Sequence, residues 1–162
     1  MSNLLDVTGE DIARLDDSSL RTLVGLLCEA DYRSAGLPVK GILWGGNQDA
    51  RDGGLDVVVR GEADPPTTSF VPRKRTGFQV KKPDMPRGEI LKEMKPGGSL
   101  RDEIKDLIAA RGAYIIVSST GSTTEPALRN RTDAMKEAIS KEADHSNLVL
   151  DFYDRGRVAS WV

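Results

Sequence analysis

At 162 residues, the chain is long enough to bury a hydrophobic core without disulfides and short for two ordinary domains, so we expect one domain spanning residues 1–162. Its 38% apolar and 30% charged residues, with a formal net charge of -2, argue against a disordered chain or a strongly basic nucleic-acid binder. One cysteine, Cys28, excludes an internal disulfide, and with a single histidine, His145, one chain cannot build a Cys/His zinc site.

The two ends of the sequence suggest a compartment and a larger context. Residues 1–17 lack the basic and apolar regions of a signal peptide, and nothing later approaches eighteen consecutive apolar residues. We therefore expect a cytoplasmic protein with no membrane partner. Residues 157–162 are apolar and helix-like, without a polar tail or a capping glycine, which leads us to expect the N-terminal part of a longer protein.

The first half of the chain predicts two helices. A Thr-x-x-Asp pattern related to the capping box predicts a short helix over residues 8–15. Asp17, Ser18 and Ser19 offer N-caps for a longer helix, in which leucines recur at helical spacing up to about Ser34.

Three strand candidates follow, over residues 39–44, 55–60 and 77–81. The segment between the first two, residues 45–54, is dense in turn formers. The segment between the second and third, residues 62–76, reads as a long surface hairpin loop. We expect the three strands to form an antiparallel meander.

The second half of the chain alternates between helices and strands after an irregular start. Residues 83–98 are rich in proline, glycine and charge and predict a loop with the composition of a mobile segment. The elements predicted after it are a helix over 99–111, a strand over 113–119, a helix over 125–143, a strand over 148–153 and a helical segment over 158–162. The order predicts an α/β fold, with a mixed central sheet flanked by helices.

Polar side chains interrupt two of the predicted strands. Asp56 lies in the run Gly-Leu-Asp-Val-Val, and Gln79 and Lys81 share one face of the next strand because they are two residues apart. A buried lone carboxylate or ammonium costs several kcal/mol unless it is paired or binds a metal. If the two strands are antiparallel neighbours, these three side chains converge at one end of the sheet, where Glu29 of the long helix could add a second carboxylate.

This set of groups suits a hard divalent cation. Mg²⁺ prefers oxygen ligands from one or two carboxylates and completes its shell with water and substrate phosphate. A metal at such a site polarises a phosphoryl oxygen and lowers the pKa of a bound water, which a lysine can orient or deprotonate. The residues therefore point to phosphodiester hydrolysis with Mg²⁺ or Mn²⁺.

The same residues resemble a known family. Glu29, the run around Asp56 and the motif Phe-Gln79-Val-Lys81 resemble the PD-(D/E)XK nuclease superfamily, which has the restriction endonuclease-like fold, and within it the Mrr-type and related bacterial defence nucleases. Glutamine in the third motif position is similar to a variant of that family. The predicted element order also matches its αβββαβ core, so the resemblance covers most of the chain.

The resemblance implies a role for each of these residues. Asp56 would be the central metal ligand, and Gln79 would bind the metal through its side-chain oxygen with help from the Val80 carbonyl. Lys81 would be the catalytic lysine, and Glu29 would be the helix acid that holds metal or water. Because Gln79 brings no negative charge, metal binding should depend more on Glu29 than in a carboxylate variant.

The resemblance further implies a Mg²⁺-dependent endonuclease that cuts double-stranded DNA as the effector domain of a bacterial anti-phage or restriction system. Such domains are often fused to a sensor or ATPase module, and a cut in both strands needs two active sites, so a homo-oligomer is expected. A catalytically silent nucleic-acid-binding or assembly module with the same fold is the alternative. RNA cleavage or branched-DNA resolution by the same site is not separable from these by sequence.

Each candidate residue also has a plain structural interpretation. Asp56 could cap the neighbouring glycine turn, and Glu29 taken alone is an ordinary solvated helix residue. Lys81, with Lys82, could form a solvated strand end. Asp52 in the preceding loop is a rival carboxylate to Asp56.

A local basic cluster bears on the DNA prediction. Arg73, Lys74 and Arg75, with Lys81, Lys82 and Arg87, are what a phosphate-backbone footprint requires, although a charged loop face explains them equally well.

Overall fold

A computed structural model describes residues 6–44, 55–121 and 123–162 of the chain. Within these ranges the centre is a five-stranded mixed sheet with the strand order β1-β2-β3-β4-β5. The strands are β1 (Ile42–Trp44), β2 (Val57–Arg60), β3 (Arg75–Lys81), β4 (Ala113–Ser118) and β5 (Val149–Tyr153). The first three strands are antiparallel neighbours, so the predicted meander is confirmed, and β3, β4 and β5 are parallel.

Six α-helices cover the two faces of the sheet in the described residues. They are α1 (Gly9–Ala13), α2 (Asp17–Ser34), α3 (Arg87–Met94), α4 (Asp102–Ala109), α5 (Glu125–Ile139) and α6 (Arg155–Trp161). Short 3-10 turns lie at Pro96–Gly98 and His145–Asn147. The structure therefore has the predicted α/β class, with a mixed sheet flanked by helices.

Each face of the sheet has its own hydrophobic core. On one face, α1, α2 and α6 pack over buried residues that include Leu20, Val57 and Phe78. On the other face, α3, α4 and α5 pack over a second core that includes Ile104 and Tyr114. Strand β4 is buried along its whole length, as its unbroken apolar run predicted.

Helix caps fix the start of the first two helices. Thr8 and Asp11 form a reciprocal capping box at α1, which confirms the helix that the Thr-x-x-Asp pattern predicted. The N-cap of α2 is Asp16, whose carboxylate accepts from the Ser19 amide at 2.7 Å, one position before the predicted candidates.

The main difference from the sequence prediction lies in residues 83–98. This segment was predicted to be a loop, and the prediction is wrong because α3 occupies its centre. Its prolines lie outside the helix: Pro86 is the N-cap residue, and Pro96 follows the helix end. Ile90 and Met94, four residues apart, are both fully buried and attach the helix to the second core.

In the described ranges, no helix is long and apolar enough to cross a membrane.

Candidate functional site

The predicted convergence of Asp56 and Gln79 occurs where β2 begins beside the end of β3. The Asp56 amide donates to the Phe78 carbonyl at 2.9 Å, which extends the antiparallel ladder by one residue. The Asp56 carboxylate atom Oδ2 accepts from the Val80 amide at 2.8 Å and from Gln79 Nε2 at 3.2 Å. The pairing of two strands thus fixes the carboxylate and the buried amide side chain together.

Lys81 is the last residue of β3 and faces the α3 layer. Its Nζ lies 3.6 Å from Oε2 of Glu93, a residue of α3. The next residue points to the opposite layer: Lys82 Nζ donates to the carbonyls of Ala13 at 3.0 Å and Leu15 at 2.7 Å, at the end of α1. Lys81 is therefore available to the site, whereas Lys82 is part of the scaffold.

Glu93 is the site residue that the sequence prediction missed, because the segment was interpreted as a loop. Its Oε1 lies 3.3 Å from Arg101 Nη2, and its backbone carbonyl accepts from Arg101 Nε at 2.6 Å. The helical spacing of Ile90 and Met94, flanked by charged helix formers, was the signal that could have placed Glu93 on a helix.

Glu29 is placed away from this group. Arg21 of α2 is the helix residue that reaches Asp56, with Nη1 3.8 Å from Oδ1. Glu29 lies eight residues further along the same helix, about 12 Å along its axis. Its carboxylate pairs with Arg33 at 3.7 Å, within its own helix. The structure therefore joins Asp56 to Gln79, places Lys81 beside Glu93 at the end of the same strand, and leaves Glu29 outside.

Burial and charge act on the Asp56 carboxyl in opposite directions. Burial raises its pKa above the usual value, and the Glu93 carboxylate adds to that rise. The hydrogen bond from the Val80 amide and the positive charges of Lys81 and Arg21 favour the ionised form and limit the rise. The carboxylate is thus poorly solvated and sits among cations, an arrangement common where a group binds or reacts.

A buried tyrosine lies beside the same charges. Tyr114 of β4 pairs in register with Gly77 of β3, and its side chain is fully buried. Burial raises the pKa of its hydroxyl, and the charges that act on it are those of Glu93, Arg101 and Asp56. Among the described residues, its hydroxyl oxygen has no hydrogen-bond partner.

The predicted basic cluster does not gather around Lys81. Arg75 begins β3 and Lys81 ends it, so the two lie about 20 Å apart along the strand. Lys82 binds the end of α1, and Arg87 pairs with Glu137 of α5. The rival carboxylate Asp52 lies outside the described residues.

The donor set fits a hard cation with few protein ligands. Within residues 6–44, 55–121 and 123–162, no group of three or more His, Cys, Asp or Glu side chains has the arrangement of a metal site. Two carboxylates, Asp56 and Glu93, are oxygen ligands of the kind that Mg²⁺ uses when water and substrate complete its shell. Gln79 turns its amide nitrogen toward Asp56, so its oxygen would become a ligand only after the amide reorients.

Comparisons with known proteins add no assignment. No family model matches the chain, and neither a curated protein nor a solved structure matches it significantly.

Proposed function

We propose that the chain is a nuclease domain with a restriction endonuclease-like core of the PD-(D/E)XK type, which hydrolyses phosphodiester bonds in double-stranded DNA with Mg²⁺ or Mn²⁺. The order α2, β1, β2, β3, α4, β4 is compatible with the αβββαβ core of that fold. Three further parts of the proposal rest on the resemblance of the motif. They are a role as the effector of a bacterial defence system, assembly as a homo-oligomer and fusion to a sensor or ATPase module.

One observation carries the proposal. The carboxylate of Asp56 meets the amide of Gln79 at the ends of two paired central strands, and Asp56 is held there by a backbone amide at 2.8 Å. Lys81 lies two residues after Gln79 on the same face of β3, and its charge acts on the Asp56 carboxyl. Asp56 is a partly buried acid directly before a central strand, a placement that needs a compensating role, and its neighbours are groups that phosphodiester hydrolysis uses.

The chain's own residues would divide the reaction between them. A bound Mg²⁺ would supply charge neutralisation of the phosphoryl oxygens and a water of lowered pKa. Asp56 would hold that ion through its carboxylate, and Gln79, whose Nε2 donates to Asp56 here, would bind it through Oε1 once the amide reorients. Lys81 would orient or deprotonate the attacking water. The group also contains three cationic side chains against two carboxylates, so its net charge favours a phosphate; the cations are Arg21, Lys81 and Arg101.

Plasmid cleavage tests the proposal. Wild-type protein is incubated with supercoiled DNA and Mg²⁺ or Mn²⁺ at several protein concentrations, beside Asp56→Ala and Lys81→Ala. Lys92→Ala is the matched control, because Lys92 is an exposed lysine of α3 that pairs only loosely with Glu89 at 4.0 Å. We expect cleavage that requires metal, Asp56 and Lys81 but not Lys92. A steep concentration dependence would support activation by assembly.

A second candidate, a silent DNA-binding or assembly module, is favoured by the same ion pairs. Arg21 and Arg101 already neutralise the two carboxylates without any metal. This candidate predicts DNA binding that is unchanged by EDTA, together with no cleavage by the wild type at any concentration; that pair of results would replace the nuclease proposal.

A further inference from the structure

We propose that Glu93, and not Glu29, supplies the second carboxylate of a divalent-cation site formed with Asp56. The inference rests on the proposed function in taking this end of the sheet as a metal site. It departs from the motif resemblance by moving the second acid from helix α2 to helix α3, on the opposite face of the sheet.

The two carboxylates are held in the same way. Asp56 is anchored through Oδ2 by the Val80 amide at 2.8 Å, and its Oδ1 is 3.8 Å from Arg21. Glu93 is held through Oε1 by Arg101 at 3.3 Å, and its Oε2 is 3.6 Å from Lys81. In each case one oxygen is fixed, while the other has a cation at a distance too long for a good hydrogen bond.

This arrangement leaves one oxygen of each acid able to change partner. At 3.6–3.8 Å these ion pairs lack a good hydrogen bond, so a divalent cation can take the same oxygen while the long side chains of Lys81 and Arg21 reorient. Those two cations would then pair with a substrate phosphate. The anchoring contacts of Val80 and Arg101 would stay in place throughout.

Tyr114 is an independent sign that this place binds something. Its side chain is fully buried, and in the described part of the chain its hydroxyl has no hydrogen-bond partner, which is a costly arrangement. It belongs to the core on the face where α3 and α4 pack, and the charges that act on the pKa of its hydroxyl are those of Glu93, Arg101 and Asp56. A cation with its water shell beside these acids would give the hydroxyl a partner.

Geometry separates Glu93 from the rival acid. Glu93 pairs with Lys81 at 3.6 Å. The charges of both residues act on the pKa of Asp56. Glu29 lies about 12 Å further along α2 than Arg21, the helix residue that reaches Asp56. A single ion cannot bind both Asp56 and Glu29 across that length with ligand distances near 2 Å.

Mn²⁺ binding without DNA tests the inference apart from activity. Free Mn²⁺ is followed by electron paramagnetic resonance during titration of the wild type, Glu93→Gln, Glu29→Gln and Asp56→Asn. Glutamine keeps an oxygen that can accept from Arg101, and circular dichroism checks that each variant is folded. We expect Glu93→Gln and Asp56→Asn to weaken Mn²⁺ binding by about tenfold or more, and Glu29→Gln to change it by less than about twofold.

A second variant tests the same site, because it should strengthen Mn²⁺ binding instead of weakening it. Lys81→Gln removes the cation that competes for the Glu93 oxygen, so we expect it to tighten Mn²⁺ binding.

The outcomes separate the inference from the proposed function. Binding that weakens in Asp56→Asn and Glu29→Gln but not in Glu93→Gln would overturn the inference and agree with the metal-dependent nuclease of the proposed function. Binding lost in Glu93→Gln, with no DNA cleavage by the wild type, would support the inference and count against the nuclease. Mn²⁺ binding absent from the wild type would overturn both.

Discussion

Lys81 and Lys82 are consecutive residues with different surroundings, and this difference gives a test at the scale of one side chain. Lys82→Ala removes two hydrogen bonds to the end of α1, so we expect it to lower the free energy of unfolding by about 1–2 kcal/mol. Lys81→Ala breaks only a partly exposed ion pair at 3.6 Å, in a geometry too long for a good hydrogen bond, and should cost about 1 kcal/mol. Urea unfolding and DNA cleavage of both variants measure this.

We expect the Lys81 variant to lose DNA cleavage with little loss of stability, and the Lys82 variant to lose stability with little loss of cleavage. Lys81→Ala should abolish cleavage in a stable protein, whereas Lys82→Ala should keep cleavage in a less stable one. Equal losses of activity at temperatures where both variants are folded would contradict the separate roles.

The raised pKa of Asp56 gives a pH prediction. Because the folded state raises this pKa, folding favours the protonated carboxyl. Protonated Asp56 therefore stabilises the fold below the ordinary pKa of 3.8, and this stabilisation is lost as the pH rises through the raised pKa. Asp56→Asn resembles the protonated form, so in EDTA it should raise the Tm at pH 7. The gain should shrink as the pH falls toward the ordinary pKa.

Asp11 is the matched control, because its carboxyl pKa is lowered in the folded state whereas that of Asp56 is raised. The Thr8 amide and hydroxyl lower the pKa of its carboxyl, so its stabilising effect is present above the ordinary value and is lost as pH falls. Asp11→Asn should therefore lower the Tm at neutral pH. Thermal melts of both variants between pH 3 and pH 7 measure the two trends, and a lower Tm for Asp56→Asn at pH 7 would contradict the first.

At the scale of the elements, two helical glycines make a matched pair. A Cβ at Gly25 in α2 would overlap the ring of Trp44 in β1, whereas one at Gly88 in α3 would meet nothing within 4 Å. Gly88→Ala should stabilise by up to about 1 kcal/mol through helix propensity, and Gly25→Ala should destabilise by about 1–3 kcal/mol through overpacking. Chemical denaturation of the two variants tests this, and equal stabilisation by both would show that the Trp44 ring is free to move.

The elements that the sequence predicted well are those with a simple apolar pattern. Strand β4 follows from an unbroken apolar run, and α2 from leucines at helical spacing. Helix α3 was missed because it is short and its buried side is narrow. Its flanking Pro86 and Pro96 were interpreted as loop residues, although proline is compatible with the positions just outside a helix.

The candidate site was predictable only where strand geometry decides it. Alternation along β3 places Gln79 and Lys81 on one face, and antiparallel pairing brings Asp56 beside them. The second acid depends on which helical turn lies next to the end of the sheet. Helical periodicity predicts which face of a helix is buried, but it does not predict which turn of the helix lies beside the end of the sheet. The sequence therefore favoured Glu29, whereas in the structure Glu93 of α3 lies beside Lys81 and Glu29 pairs with Arg33.

At the scale of the whole molecule, Asp31 connects three distant parts of the chain. Its Oδ2 accepts from Ser69 Oγ at 2.9 Å, the Phe70 amide at 3.2 Å and Trp161 Nε1 at 3.1 Å. The carboxylate of α2 thereby ties the long connection between β2 and β3 to the terminal helix α6. We expect Asp31→Ala to lower the free energy of unfolding by about 3 kcal/mol, because it leaves partly buried donors without an acceptor.

Asp64→Ala is the control for Asp31→Ala. The Asp64 carboxylate accepts from the Lys74 amide at 2.9 Å at an exposed position, so its removal should cost about 1 kcal/mol or less. Urea unfolding of both variants gives the comparison, and a loss for Asp31→Ala no larger than that for Asp64→Ala would show that the three-way connection contributes little.

The pairing of Trp44 with Val57 has a practical consequence for spectroscopy. Val57 directly follows Asp56, so one of the two tryptophans in the chain sits on the strand beside the candidate site. The other, Trp161, stacks on Phe70 with ring centroids 5.3 Å apart, within the core on the α6 side. A Trp161→Phe variant would leave Trp44 as the only indole emitter, and the protein's own fluorescence would then follow the packing of α2 on the strand edge next to Val57, without an attached dye.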